Sequence, residues 1–155
     1  MRAVIQRVKG ARVDISDGAA RRTSGEIGAG LLVLLAVANG DTSDDVDWLA
    51  GKISALRIFE DADGKMNLSV LDTRGGALVV SQFTLYGNVR KGSRPSFNRS
   101  APPSVSIPLY EEFLAKLSAV LGREVSHGEF GAYMEVSLVN DGPVTIILDS
   151  QNRDI

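Results

Sequence analysis

The run Leu31-Leu32-Val33-Leu34-Leu35-Ala36-Val37 is short, continuous and apolar, and Asn39-Gly40-Asp41 closes it. With no polar face, and with turn residues after it, it reads as a strand covered on both sides. A second run, Ala77-Leu78-Val79-Val80-Ser81-Gln82-Phe83-Thr84-Leu85, reads as another central strand whose far half turns polar. Two covered strands need helices or further strands on both faces, and the flanking sequence offers them. Val4, Gln6 and Val8 alternate with Ile5 and Arg7, and Val13 and Ile15 continue the period of two, so one or two strands broken near Lys9-Gly10 precede the core strand. Ser16 to Gly25 is polar and reads as a loop.

Thr42-Ser43-Asp44-Asp45 is a helix entry, a hydroxyl followed by carboxylates at the positive end of the dipole. Val46, Leu49, Ile53 and Leu56 then recur on one face. Arg57-Ile58-Phe59 begins a strand, and Asp61-Ala62-Asp63-Gly64 is turn chemistry, favoured over a calcium loop because its Gly comes too early. Pro108 is read as opening a second helix, with Tyr110, Phe113, Leu114, Leu117 and Leu121 inward and Gly122 at its end. Met134, Val136 and Leu138 form a strand, Asn140-Asp141-Gly142-Pro143 a tight turn, and Val144 to Leu148 the last strand. The expected architecture is α+β: a mixed, largely antiparallel, barrel-like sheet packed with two or three helices.

The chain has 155 residues, 17 Lys+Arg, 19 Asp+Glu, one His and no Cys. That length fits one domain, expected over residues 1–149, with a polar tail at 150–155 that frays. Without Cys there is no thiol nucleophile, Cys-bound zinc or iron–sulfur cluster. No cofactor or metal is expected. The start lacks the apolar core of a signal peptide, and the longest apolar run falls short of the ~20 residues of a membrane helix, so a cytoplasmic protein away from membranes is expected. His127, between Ser126 and Gly128, reads as a solvated surface residue.

Charge is unevenly spread. From Thr73 to Tyr110 there is no acid, while Arg74, Arg90, Lys91, Arg94 and Arg99 all fall there. Gly87 to Pro108 reads as a long loop, a length more often functional than decorative. Its cations are either an ordinary solvated surface or a patch for the phosphates of a nucleic acid. Ser81-Gln82-Phe83-Thr84 precedes it, and strand alternation sets Gln82 and Thr84 on one side and Ser81 and Phe83 on the other. Gly142-Pro143 is a place where a cis peptide could be held, although most X–Pro bonds are trans.

Taken together, Ser81-Gln82-Phe83-Thr84-Leu85, Lys91-Gly92-Ser93-Arg94-Pro95-Ser96-Phe97 and Asn140-Asp141-Gly142-Pro143-Val144-Thr145 resemble the signature blocks of the D-aminoacyl-tRNA deacylase family. Ile5-Gln6-Arg7-Val8, Gly25-Glu26-Ile27-Gly28 and Gly64-Lys65-Met66-Asn67 add to the likeness, which runs from Met1 to about Leu148. The resemblance implies hydrolysis of the ester joining a D-amino acid to tRNA, and removal of glycine from the alanine tRNA. It implies a homodimer with active sites at the interface, and aminoacyl-tRNA rather than DNA as partner.

Carried onto this chain, the likeness makes Gly142 and Pro143 a cis pair that enters the partner's pocket and rejects L-amino acids, supported by Arg7. It makes Ser81, Gln82, Phe83 and Thr84 the catalytic segment, with N–H donors from Phe83-Thr84 and the substrate's ribose 2′-hydroxyl doing the chemistry. Thr84 is a weaker prospect as nucleophile, since no base accompanies it. Phe130 and Met134 hold the terminal adenine, or are plain core. Arg90, Lys91, Arg94 and Arg99 contact tRNA phosphates. Asn88 and the longer Asp17–Ser24 loop depart from the family pattern. Two alternatives stay open: a non-catalytic nucleic-acid-binding module, and a related editing domain for an L-amino acid.

Overall fold

The computed structural model describes residues 1–18 and 20–155. Strand β1 (Arg2–Asp17) is its spine. Along one edge it pairs antiparallel with β8 (Met134–Asp149); along the other it pairs first with β3 (Gly30–Ala36) and then with β2 (Ala20–Ile27). β3 runs parallel to β6 (Gly76–Ser81), and β6 parallel to the short β7 (Ser126–His127). The sheet curls until β2 faces β7. There Ser24 Oγ donates to the His127 carbonyl and Ser126 Oγ to that of Glu26, at 3.0 and 3.1 Å. Two serines thus stitch the last seam of a nearly closed barrel.

The expected break near Lys9-Gly10 is not a break. β1 runs on, but its register against β8 shifts between Gln6 and Val8 and again between Val8 and Gly10. The slip moves the odd-numbered residues of β1 from one core to the other. Ala3 and Ile5 pack with Leu31, Val33, Leu35, Ala77 and Val79 in the core covered by helices. Val8, Ala11 and Val13 pack with Leu32, Leu78 and Val80 in the second core cluster. β3 and β6 contribute alternate residues to both cores, as a strand covered on both faces must.

Helix α1 (Ser43–Ala55) begins where its caps predict, the Asp45 carboxylate accepting the Thr42 N–H at 2.8 Å. β4 (Phe59–Glu60) and β5 (Met66–Leu68) form a hairpin. Its turn consumes Asp61: one carboxylate oxygen takes the N–H groups of Asp63 and Lys65, and the other takes the Asn67 amide. A four-residue helix, α2 (Val70–Thr73), follows. Helix α3 (Pro103–Leu121) packs on α1, burying Leu109, Tyr110, Phe113, Leu117 and Leu121, and ends at Gly122 with φ +66°.

Several further expectations need correction. The polar stretch Ser16–Gly25 holds most of β2, because an edge strand with one face in solvent needs no apolar alternation; its Ala19 lies outside the described residues. The strand after Ala77 ends at Ser81, and Phe83–Tyr86 is a 3-10 turn, so alternation does not sort the side chains of residues 82–84. Helix α3 starts at Pro103, with Pro108 inside it. Pro108 removes only one N–H bond near the helix start, and Ser104, whose carbonyl loses that partner, is exposed to water. The C-terminus is tied down at its root: Asp149 pairs with Arg2 at 2.8 Å, and Ser150 is buried with its N–H on the Met1 carbonyl.

Asn140-Asp141-Gly142-Pro143 is likewise not a hairpin turn. Gln6 pairs with Thr145 and Val8 with Asn140, so the four residues Asp141–Val144 stand opposite Arg7 alone. The bend is a large bulge in β8, both of whose arms pair with β1. Among the described residues no helix is long and apolar enough to cross a membrane.

Candidate active site

The parallel strands β3 and β6 end side by side, and a cavity of about 440 Å³ opens beyond their carboxyl ends. Ligands of sheet proteins collect at such ends, where loops replace the ladder. Its walls come from Leu35 to Val37, Val80 to Phe83, Ser100 and Ala101, and the segment Phe130 to Met134. Tyr110 of α3 forms part of its lining, with its hydroxyl on the Val79 carbonyl at 3.1 Å and its ring edge-on to Phe130 at 5.8 Å. Burial pushes the Tyr110 hydroxyl well above its ordinary pKa, so it stays a protonated donor. No carboxylate, imidazole, amine or guanidinium lines the cavity among the described residues.

The segment Ser81–Phe83 lies at one wall. The Gln82 N–H makes a last bond to the Leu35 carbonyl at 2.7 Å, and the chain then tightens into the Phe83–Tyr86 turn. As first residues of a helical turn, Phe83 and Thr84 have N–H groups without an internal partner, and neither donates to a main-chain carbonyl elsewhere among the described residues. Ser100 Oγ holds the Phe83 carbonyl at 2.9 Å, and the Phe83 ring meets Phe97 edge-on at 5.1 Å. The Gln82 amide donates to the Thr84 hydroxyl. An amide cannot take that hydroxyl's proton, so Gln82 does not serve Thr84 as a base.

Of the residues singled out in sequence, Ser81, Gln82, Phe83, Phe130 and Met134 share this cavity, and Thr84 sits just outside it. Gly142 and Pro143 do not line it. They lie exposed on the bulge of β8, joined by a cis peptide, with Gly142 at φ +129°. Arg7 holds them from beneath: its Nε donates to the Asp141 carbonyl at 3.0 Å and its Nη1 to the Ile58 carbonyl at 2.7 Å.

The basic loop folds back on itself through a bridge between Asn88 and Ser96. Arg90, Lys91, Arg94 and Arg99 are all exposed and form no ion pair among the described residues, and Arg99 alone of the four also lies over the Tyr86 ring, at 5.5 Å. His127 is exposed on β7. No cluster of three or more His, Asp or Glu suited to a metal occurs among the described residues. Sequence patterns missed Tyr110, Ser100 and Tyr133 as cavity residues. Tyr110 carried a signal, a polar-tipped aromatic in an apolar helix stripe; the other two carried none.

The family model described as D-Tyr-tRNA(Tyr) deacylase matches residues 4–149. A D-aminoacyl-tRNA deacylase of Opitutus terrae is 60% identical over 154 residues, covering 99% of this chain and 100% of that protein. Another, of Akkermansia muciniphila, is 56% identical with the same coverage. Among solved structures, one described as c-Myc DNA Unwinding Element Binding Protein superposes with a TM-score of 0.88 at 40% identity, over 96% of this chain and 98% of that one. A second, described as a probable eukaryotic D-amino acid tRNA deacylase, reaches 0.80 at 18% identity over 95% and 97%, and shares the fold. A family match over residues 4–149, with curated relatives above half identity over 99% of the chain, leaves one conclusion: the chain belongs to the D-Tyr-tRNA(Tyr) deacylase family.

Proposed function

We propose that this protein is a D-aminoacyl-tRNA deacylase, a hydrolase that frees the amino acid from tRNA by cleaving its ester. The observation that carries the mechanism is the uncharged cavity beside Phe83-Thr84. Hydrolysis there needs no protein base if the substrate's ribose 2′-hydroxyl assists, and the two N–H groups stabilise the developing oxyanion. Such a donor is typically worth about 3–4 kcal/mol in the transition state. Phe130 and Met134 offer an aromatic face and a soft side chain to the terminal adenine.

Gly142 and Pro143 serve as the chiral gate, reaching the cavity of a second copy in a homodimer. Their exposure on the bulge, and their absence from the cavity of their own chain, support that reading. Main-chain oxygens of the bend fill the space an L side chain needs, so selection works by exclusion, and glycine on the alanine tRNA passes. Arg90, Lys91 and Arg94 meet tRNA phosphates, and the work is done in the cytoplasm.

The test is a paired deacylation assay with D- and L-tyrosyl-tRNA, run alongside a sizing measurement. The expected result is a dimer that releases D-tyrosine and spares the L-ester. Equal cleavage of both removes the gate, and cleavage of the L-ester alone points to an editing domain of the other handedness. Salt-sensitive tRNA binding with neither ester cleaved leaves only a nucleic-acid-binding module.

A further inference from the structure

We infer that Arg99 is a positioning residue for the Phe83–Tyr86 turn, acting through the Tyr86 ring together with Arg2, and not a contact to the nucleic acid. The inference rests on the assignment of Phe83-Thr84 as the oxyanion-binding segment. Tyr86 closes the turn and is buried, with its hydroxyl shielded from water and without a hydrogen-bond partner among the described residues. The polar tip therefore does not hold this ring. Its face does: the guanidinium carbons of Arg2 and Arg99 lie 4.8 and 5.5 Å from the ring centroid, within reach of cation–π attraction.

The Arg2 guanidinium and the Arg99 main chain are each anchored. Arg2 gives Nε and Nη2 to one oxygen of Asp149 at 2.9 and 2.8 Å, and its Nη1 to the Leu85 carbonyl at 2.9 Å. The Arg99 carbonyl accepts the Asn39 N–H at 3.0 Å, which ties residue 99 to the chain leaving β3. Its neighbour Ser100 grips the Phe83 carbonyl. A turn of four residues is thus held at its first carbonyl, its third carbonyl and its last ring, from residues 100, 2 and 99. Among the described residues the other three cations of the loop make no such contact, so Arg99 differs from them in what its charge is used for. Where two N–H groups must meet one developing oxyanion, a small shift of their turn is costly: misplacement by about 1 Å can cost 100-fold.

The experiment compares Arg99→Ala, Arg99→Lys and Arg94→Ala on D-tyrosyl-tRNA hydrolysis and on the salt dependence of tRNA binding. Arg99→Ala is expected to lower kcat by about 2- to 30-fold with KM kept, the range of a single cation–π contact. Its salt slope stays that of the parent, and Arg99→Lys restores part of kcat. Arg94→Ala weakens binding and flattens the slope by about 0.7–0.9. In the Tyr86→Leu background, Arg99→Ala adds no further loss of kcat. A flattened slope in Arg99→Ala with kcat intact, or an undiminished loss in the Tyr86→Leu background, overturns the proposal. A parent without hydrolysis fails the deacylase assignment instead, and the slope comparison then still reports whether Arg99 touches the nucleic acid.

Discussion

Strand β1 buries two charged side chains, Arg7 and Asp14, each at an irregularity of its ladder, and they are held in opposite ways. Arg7, 7% exposed, is spent on main chain: the carbonyls of Ile58 and Asp141, with the carboxylates of Asp141 and Glu60 further off at 3.4 and 3.8 Å. Asp14, 3% exposed, is spent on side chains: Arg12, Arg21 and Thr23, all within 2.9 Å. Carbonyl partners cannot turn away without moving backbone, whereas Arg12 and Arg21 are half in solvent and can rearrange. One buried charge fixes the shape of the Asp141–Val144 bulge; the other secures the β1–β2 seam. Both should matter for stability, but function should follow the first alone.

The largest effect is expected at Arg7. Arg7→Ala leaves two carbonyls without their donor and should cost about 2–4 kcal/mol in urea unfolding. It should also lower D-ester hydrolysis by about 100-fold or more, because the bulge loses its support. Arg7→Lys keeps the charge but not the fork that reaches both carbonyls, so it should regain stability more than activity. Full activity in Arg7→Ala would break the contrast. Gly142→Ala comes next. At φ +129° a side chain is strained, and its Cβ would lie 2.9 Å from Val144 Cγ2, 3.1 Å from Arg7 Nη2 and 3.2 Å from the Val144 nitrogen. A stability loss of about 1–3 kcal/mol is expected. Kinetics on the D-ester should fall about tenfold, since Arg7 can give way only by loosening the carbonyls it holds. Parent-like kinetics would place the bend away from the chemistry.

Sequence patterning served best where one physical signal acted alone. The doubly covered strands β3 and β6, the caps of α1 and the inward face of α3 all follow from apolar spacing and local hydrogen bonding. It failed where long-range pairing decided. β2 is polar because it is an edge, the 3-10 turn begins because β3 ends at Ala36 and leaves Gln82 one last partner, and the Asp141–Val144 bulge exists only against Arg7. The site divides the same way. The segment blocks for residues 81–84, 130–134 and 142–143 are visible as motifs, but that the first two share a cavity and the third stands apart is a fact of register. Arg99 shows the same limit, since its charge is legible and its use on a ring 13 positions away is not.

Asp14 gives the smallest effect and the sharpest control. Hydrogen bonding from Arg12, aided by Thr23 and Arg21 and opposed by desolvation, holds its carboxyl down at about 2, below the ordinary 3.8. A carboxyl depressed in the folded state lends stability that is fully present above the unfolded value and disappears as pH falls through the folded one. The loss therefore falls between about pH 4 and pH 2. Asp14→Asn should lower the urea midpoint at pH 7 and flatten the acid limb across that window. The limb should not vanish, because Asp45, Asp61 and Asp72 are also held low by their own partners. Hydrolysis at neutral pH should stay close to the parent's, since the rearranged arginines leave the bulge and the cavity walls untouched. If Asp14→Asn instead lost activity as steeply as Arg7→Ala, the seam and the bulge would be one mechanical unit, and the division of labour along β1 would fall.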